Sequence, residues 1–431
     1  MDNLSINLDE AVREIEYAYN HTPFFTDHLN DFGLKPSDIR THEDLLKIPY
    51  TSKKHYRKNF PAKVLSEGFS INDQRLYRTQ SSGTAGERLV TLEVGIFFLG
   101  RAKDTLTVYP EIESVFFDAP RRHIRYAAPN CSDVECANPN STAADRTLTD
   151  GTLVLSVYHD MLTTTEEILE NNIKEIEEYQ PKMYYIDSTH LAFLTRYMKK
   201  VGYTPPKAPI LSSYTASTQI SRRQIKEVFG ADTPYAEFVS MSEIGWVALE
   251  CEHGNMHINN KSYYLEFIRE NRRAEPGELA DLYITTIDNG CTPHIRYKTG
   301  DIYRLLDIDC ECGHPFPVVQ MEGRLQNFIY QNNEVVLTPR QLDDIIGAPE
   351  WMDLYKFRQL SEQDFTLDYI SNEKYEPNNE QYIIEALKEK LGTNINLKIE
   401  KTNYIPTERS GKFLSCISDV GMQLYKQGYS L

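Results

Sequence analysis

Nowhere in the chain do apolar residues run for the roughly 20 positions that a membrane-spanning helix needs. The N-terminal stretch MDNLSINLDEAVREIE has neither a basic start nor an apolar core. Neither membrane insertion nor secretion is therefore expected, and the expected location is the cytoplasm. Positive charge is also scarce. Against 63 Asp and Glu stand 46 Lys and Arg, a net charge of -17, which repels nucleic acid and anionic lipid surfaces at long range. A nucleotide could still be held at a local site. Seven cysteines, odd in number and scattered, do not make a disulfide framework. Four of them, Cys131, Cys136, Cys291 and Cys416, read as plain thiols. A Walker loop is missing too, because no G-x-x-x-x-G-K-[ST] spacing occurs.

What is present is a chain of 431 residues, enough for two or three domains. Leu8 to Tyr19 has apolar residues at helical spacing, with Pro23 expected to end that helix. Residues 119 to 151, rich in Asn, Ser, Thr, Asp and Pro, read as loops. From Thr163 to Val239 helices and strands alternate: helix 163–179, strand 182–186, helix 189–201, strand 208–212, helix 221–229, strand 235–239. Such alternation implies a parallel sheet covered by helices on both faces. Ligands of these sheets sit at the carboxyl ends of the strands, which draws attention to Ser213-Tyr214-Thr215-Ala216 and to Ser240-Met241-Ser242-Glu243. From Ser262 the period drops to two, in SYYLEFI and ELADLYITTI, implying an antiparallel subdomain. Beyond Arg324 the elements shorten into a small α+β domain. The expected fold is thus α/β, with helix-flanked parallel sheets plus an antiparallel subdomain in a large core.

Five stretches carry chemistry. Ser81-Ser82-Gly83-Thr84-Ala85-Gly86 suits neither helix nor strand, and its hydroxyls, N–H groups and glycines fit an anion; a plain surface loop would have the same composition. In FVSMSEIG (238–245), the Glu243 carboxylate after a strand end can take a Mg²⁺ that bridges nucleotide phosphates, although alone Ser242-Glu243 reads first as a helix N-cap. In PHIRYKTGD (293–301), Asp301 follows a Thr-Gly turn and can accept hydrogen bonds from a vicinal diol such as ribose. EGRLQNFI (322–329) contains Arg324, a guanidinium suited to phosphate oxygens. IPTERSGKFL (405–414) contains Lys412, which alone would read as a solvated turn lysine.

In their order and spacing these stretches resemble the adenylate-forming superfamily of acyl-CoA synthetases, nonribosomal adenylation domains and luciferases, and within it the phenylacetate-CoA ligase-like branch. The resemblance implies that Ser81, Ser82, Gly83, Thr84 and Gly86, with Thr215, Ala216 and Ser242, bind ATP or AMP. It also implies that Glu243 holds Mg²⁺, Asp301 the ribose and Arg324 the nucleotide, and that Lys412 drives adenylate formation. It further implies an adenylation core over residues 1–323, a hinge at 324–327 and a mobile C-terminal domain over 328–431. Three positions depart from the pattern. Val239 and Ser240 replace a Tyr-Gly, leaving Phe238 or Tyr214 as the aromatic beside adenine, and the hinge residue is Gln326 instead of Asp.

A separate set of soft ligands, Cys251 and His257 in CEHGNMH and Cys310 and Cys312 in CEC, could close a tetrahedral structural Zn²⁺ site. His253 and His314 compete with His257 for the fourth place, and reduced buried cysteines are the alternative. The expected reaction is ATP-dependent activation of a small carboxylic acid, aryl or arylacetic by the branch, to an acyl-adenylate with pyrophosphate release. The acyl group would then pass to the thiol of coenzyme A. Transfer to a carrier protein or an amine keeps the same first step, and a nucleotide-binding sensor without turnover is the reading that drops it.

Overall fold

The computed structural model describes residues 7–80, 89–129, 138 and 140–431. Its contacts divide the chain into two compact units, one of residues 1–113, 238–321 and 431, the other of residues 114–237 and 322–430.

In the first unit the strands run antiparallel. Tyr263–Arg269 pairs with Ala280–Thr286, which pairs with Tyr297–Leu306; Gly245–Glu250 pairs with Met256–Ile258 and with the end of Tyr235–Met241. Ala280–Thr286 is buried along its whole length, so both of its faces are covered. Helices Leu8–His21 and Pro23–Asp31 supply part of that cover through Ala11, Ile15, Ala18, Phe25 and Leu29, which share a core with Tyr263, Leu265, Leu282 and Ile284. The first helix ends at His21, just before Pro23 as expected, and Pro23 then occupies the first turn of the second helix, where its missing N–H costs nothing.

A cluster of charges lies inside this unit. Arg101 forms a fork to Asp288 Oδ2 (2.9 and 2.6 Å) and lies 3.7 Å from Glu93. Glu14, fully buried, accepts from Asn289 N–H (2.7 Å) and the Thr286 hydroxyl. Burial, with Asp288 nearby, pushes the Glu14 carboxyl up to about 8.

The second unit contains the expected parallel sheet. Leu153–Val154, His123–Tyr126, Met183–Asp187, Ile210–Ser213 and the first residues of Tyr235–Met241 are all paired in parallel. Helices Glu166–Tyr179, Ser188–Val201 and Gln219–Phe229 lie between them in the chain. His123–Tyr126 is a strand inside the stretch 119–151 read from sequence as loops, and Leu153–Val154 follows just after it; at four and two residues they are too short to show a period. The C-terminal part of this unit is a small α+β region. Its sheet is ordered Asn396–Lys401, Asp364–Ser371, Met352–Gln359, Cys416–Ser418, with helices Pro339–Ile346, Gln381–Leu391 and Asp419–Lys426. Arg223 and Gln224 on Gln219–Phe229 bind the Met352 carbonyl (2.8 Å) and Asp353 (3.0 Å), and Ile405 and Phe413 enter the apolar cluster beneath the parallel sheet.

Candidate functional site

Lys412 is carried by a turn built to present it. Glu408 N–H donates to the Lys412 carbonyl and Gly411 N–H to the Glu408 carbonyl, both at 2.8 Å. Gly411 sits at φ +78, and a Cβ there would come within 2.8 Å of Ala128 Cβ and 3.2 Å of His159. From below, the Lys356 ammonium bonds the Pro406 carbonyl (2.6 Å) and Glu408 (3.1 Å), and next in the chain Phe413 is buried. The Lys412 Nζ donates to the Tyr214 carbonyl at 2.9 Å. Two stretches 198 residues apart thereby meet in one unit, and Tyr214 directly follows Ile210–Ser213 at the carboxyl edge of the parallel sheet, as the strand-end rule expects. Thr215 bonds Asp187 through its hydroxyl (2.7 Å), and Ser217 N–H donates to Glu237 (3.1 Å).

In the other unit Glu243 occupies the turn between two antiparallel strands, with Met241 paired to Gly245, and does not start a helix; the N-cap alternative falls. Its carboxylate is 3 % exposed, accepts from the Tyr297 hydroxyl at 2.6 Å and lies 3.3 Å from the Lys53 ammonium. Burial and the Glu243 charge raise the Tyr297 hydroxyl well above its usual value, which keeps it a donor. Ser242 offers its carbonyl to the Thr79 hydroxyl. Asp301 is buried too, in the strand Tyr297–Leu306 and not in a free turn. Pairing shifts register between Asp281 and Tyr283, where Leu282 alone faces the three residues Thr299 to Asp301, and Gly300 at φ +81 accommodates the excess; such a bulge re-aims the side chain that follows it. Asp301 N–H donates to the Thr299 hydroxyl at 3.1 Å.

The remaining expected residues divide. Arg324 precedes the short 3-10 turn Leu325–Asn327 in the second unit, with Gln326 buried. Ser81, Ser82, Gly83, Thr84 and Gly86 lie outside the described residues, as do Cys131 and Cys136; the hairpin carrying the loop is described up to the Gln80–Val90 pair. Of the two aromatics available for adenine, Phe238 is buried and stacked on Trp246 at 3.9 Å, whereas Tyr214 is half-buried and stacked on Tyr185. Lys53, Tyr297 and Asp187 had no assigned role in the sequence. A pairing with Glu243 or Thr215 depends on fold, and no local motif announces it.

The four soft ligands do come together. One ligand atom from each of Cys251, His257, Cys310 and Cys312 lies within 4.8 Å of the others. Cys251 and Cys310 sulfurs are 3.6 Å apart and Cys312 Sγ is 3.3 Å from His257 Nε2, against about 3.5–3.8 Å between ligands of a tetrahedral zinc. His257 Nδ1 donates to the Phe316 carbonyl (2.8 Å), which turns Nε2 toward the sulfurs as an outer partner of a metal ligand does. Partial burial opposes ionisation of Cys310, but the Cys312 N–H and the side chains around it hold that thiol below its usual value. The rivals are placed elsewhere: His314 Nε2 meets the Thr107 hydroxyl, and His253 faces Glu311.

Residues 329–419 match the family described as the CapK C-terminal domain. A phenylacetate-coenzyme A ligase of Thermus thermophilus is 24% identical over 312 residues, 70% of this chain and 65% of that protein, so the chain covers just under two thirds of that relative's length. Protein CapK of Staphylococcus aureus is 24% identical over 277 residues, 62% of this chain and 59% of that protein. In fold, a 2-hydroxyisobutyryl-CoA ligase, solved in the postadenylation state with R3-HIB-AMP, matches with a TM-score of 0.70 at 16% identity, over 97% of this chain and 90% of that one. In sequence the chain is thus similar to phenylacetate-CoA ligases and to protein CapK, and in fold to a CoA ligase.

Proposed function

We propose that the protein is an AMP-forming acid–thiol ligase whose first step joins a small carboxylic acid to ATP. A carboxylate oxygen attacks the α-phosphorus, the bond to the bridging oxygen of the β-phosphate breaks, and pyrophosphate leaves with that electron pair. In the second step a thiolate, taken to be that of coenzyme A, attacks the acyl carbon and AMP leaves. The observation that carries the reading is Lys412, whose Nζ is fixed on the Tyr214 carbonyl at the carboxyl edge of the parallel sheet. There an ammonium stabilises the negative charge that builds between the attacking carboxylate and the α-phosphate. In this reading Thr215, Ala216 and Ser242, with the loop from Ser81 to Gly86, bind the nucleotide. Asp301 takes the ribose hydroxyls, Arg324 a phosphate, and rotation at 324–327 withdraws Lys412 from a core of residues 1–323 before thiol transfer.

The buried oxygen donors of Glu243 suit Mg²⁺, which would neutralise the triphosphate; Lys53 and Tyr297 are what the carboxylate faces otherwise. The Cys251–His257–Cys310–Cys312 group suits Zn²⁺ in a structural role, because a full set of four protein ligands leaves no position for substrate. By likeness to the phenylacetate-CoA ligases the acid is aryl or arylacetic. The test is pyrophosphate release from ATP across aryl, arylacetic, fatty and amino acids, without and with coenzyme A. Release that needs one acid and is accelerated by coenzyme A is the expected result. Release indifferent to coenzyme A would move the acceptor to a carrier protein or an amine, and no release with any acid while ATP binds would favour a sensor.

A further inference from the structure

Tyr214 has a backbone conformation that tyrosine seldom adopts. Its φ is +73, and Thr215 N–H donates to the Ser213 carbonyl two residues back at 2.9 Å. Together these make Ser213–Thr215 a γ-turn of the strained hand. A residue held so persists only where its surroundings over-determine it. Two restraints do that here. The Tyr214 ring stacks on Tyr185 (5.7 Å, 28°), and the Thr215 hydroxyl donates to Asp187 Oδ2 at 2.7 Å. The strained turn directs the Tyr214 carbonyl onto Lys412.

Asp187 and His190 are both fully buried, at the junction of Met183–Asp187 and helix Ser188–Val201. Asp187 Oδ1 is fully engaged. It accepts from the N–H groups of Thr189 (3.0 Å) and His190 (3.1 Å) and from His190 Nδ1 (2.9 Å). The other oxygen is thereby turned to Thr215. Despite burial, which opposes ionisation, His190 and Thr215 hold the Asp187 carboxyl below its usual value, so it accepts only and His190 Nδ1 carries the shared proton. None of these contacts is required to cap the helix beyond the two N–H bonds, and neither Asp187 nor His190 has a part in the proposed chemistry.

We propose that the Asp187–His190 pair is a positioning element for Lys412: it fixes the Thr215 hydroxyl, which locks the Tyr214 turn, whose carbonyl sets where the ammonium lies. The pair acts through Thr215 and Tyr214 and touches no reacting atom. The kinetic consequence rests on the ligase reading; the geometric one does not.

The test uses the full chain with Asp187→Asn, His190→Ala and His190→Asn, the last keeping a donor near the Nδ1 position. Asp187→Asn should lower kcat of acid-dependent ATP–pyrophosphate exchange by about 10- to 100-fold, as an ångström-scale misplacement does. Coenzyme A transfer from preformed acyl-adenylate should stay nearly constant. In a Lys412→Ala background the same substitution should cost nothing further, and His190→Asn should retain more activity than His190→Ala. Independently of turnover, trace labelling with acetic anhydride should find Lys412 several-fold more reactive in Asp187→Asn than in the wild type, with the other lysines unchanged. Equal loss of both half-reactions, additivity with Lys412→Ala, or unchanged Lys412 labelling would overturn the proposal. If the wild type shows no acid-dependent exchange, the ligase reading fails, and the labelling alone decides the positioning role.

Discussion

Replacing Gly411 by alanine tests the turn that presents Lys412. At φ +78 an L side chain costs about 1–2 kcal/mol. The added methyl would lie 2.8 Å from Ala128 Cβ and 3.2 Å from both the ring and the carbonyl of His159, a closed space in which overpacking costs about 1–3 kcal/mol more. Gly202 is a control in the same unit: it is left-handed at φ +71 with nothing within 4 Å, so Gly202→Ala carries the conformational cost alone. If the turn holds, Gly411→Ala melts lower than Gly202→Ala, by about 2–4 °C for each kcal/mol of contact strain. If the turn yields instead, Lys412 moves with it and pyrophosphate exchange falls by about 100-fold while melting matches the control. Thermal melting and ATP–pyrophosphate exchange on the two variants separate these outcomes. A Gly411→Ala protein indistinguishable from Gly202→Ala in both assays would refute the argument that close packing on Ala128 and His159 aims the lysine.

Other substitutions follow from the buried groups. Glu14, raised from 4.5 to about 8, stays protonated in the fold where the unfolded chain has lost its proton. Its contribution is therefore complete below pH 4.5 and declines as pH rises toward 8, by at most about 5 kcal/mol at 1.36 kcal/mol per pH unit. Glu14→Gln should flatten the fall in urea midpoint between pH 5 and 8, and a slope unchanged by the substitution would contradict this. Tyr297→Phe leaves the buried Glu243 carboxylate without a 2.6 Å donor and should cost about 1.5–3 kcal/mol in denaturant titrations. Metal analysis of the purified protein should find zinc equimolar with the chain, lost in Cys312→Ser with a lower melting temperature; stoichiometric zinc retained by that variant would remove Cys312 from the site.

The fold was legible where elements are long and periodic. Strand and helix alternation from residue 163 to 239 and the period-two strands after 262 match the observed elements to within a few residues. Short elements escaped: His123–Tyr126 has four residues and Leu153–Val154 two. At the site, residue types were legible and their surroundings were not. Glu243 lies in a hairpin turn and Asp301 in a bulge because pairing with distant strands decides both, and neither pairing is encoded beside the residue. Cys251 with His257 and Cys310 with Cys312 could be read as two pairs because each pair is close in sequence, and strand pairing through Val318 and His257 brings one toward the other. Asp187 and His190 have no such signal, since a buried Asp at a helix start is an ordinary cap.

The central claim is that Lys412, held at the Tyr214 carbonyl, drives transfer of a carboxylate to the α-phosphate. Acid-dependent pyrophosphate release by the wild type and by Lys412→Ala, with ATP binding measured on both, tests it most directly. The account predicts release lowered by orders of magnitude in the variant with ATP affinity nearly intact. Release persisting at the wild-type rate in Lys412→Ala would contradict it.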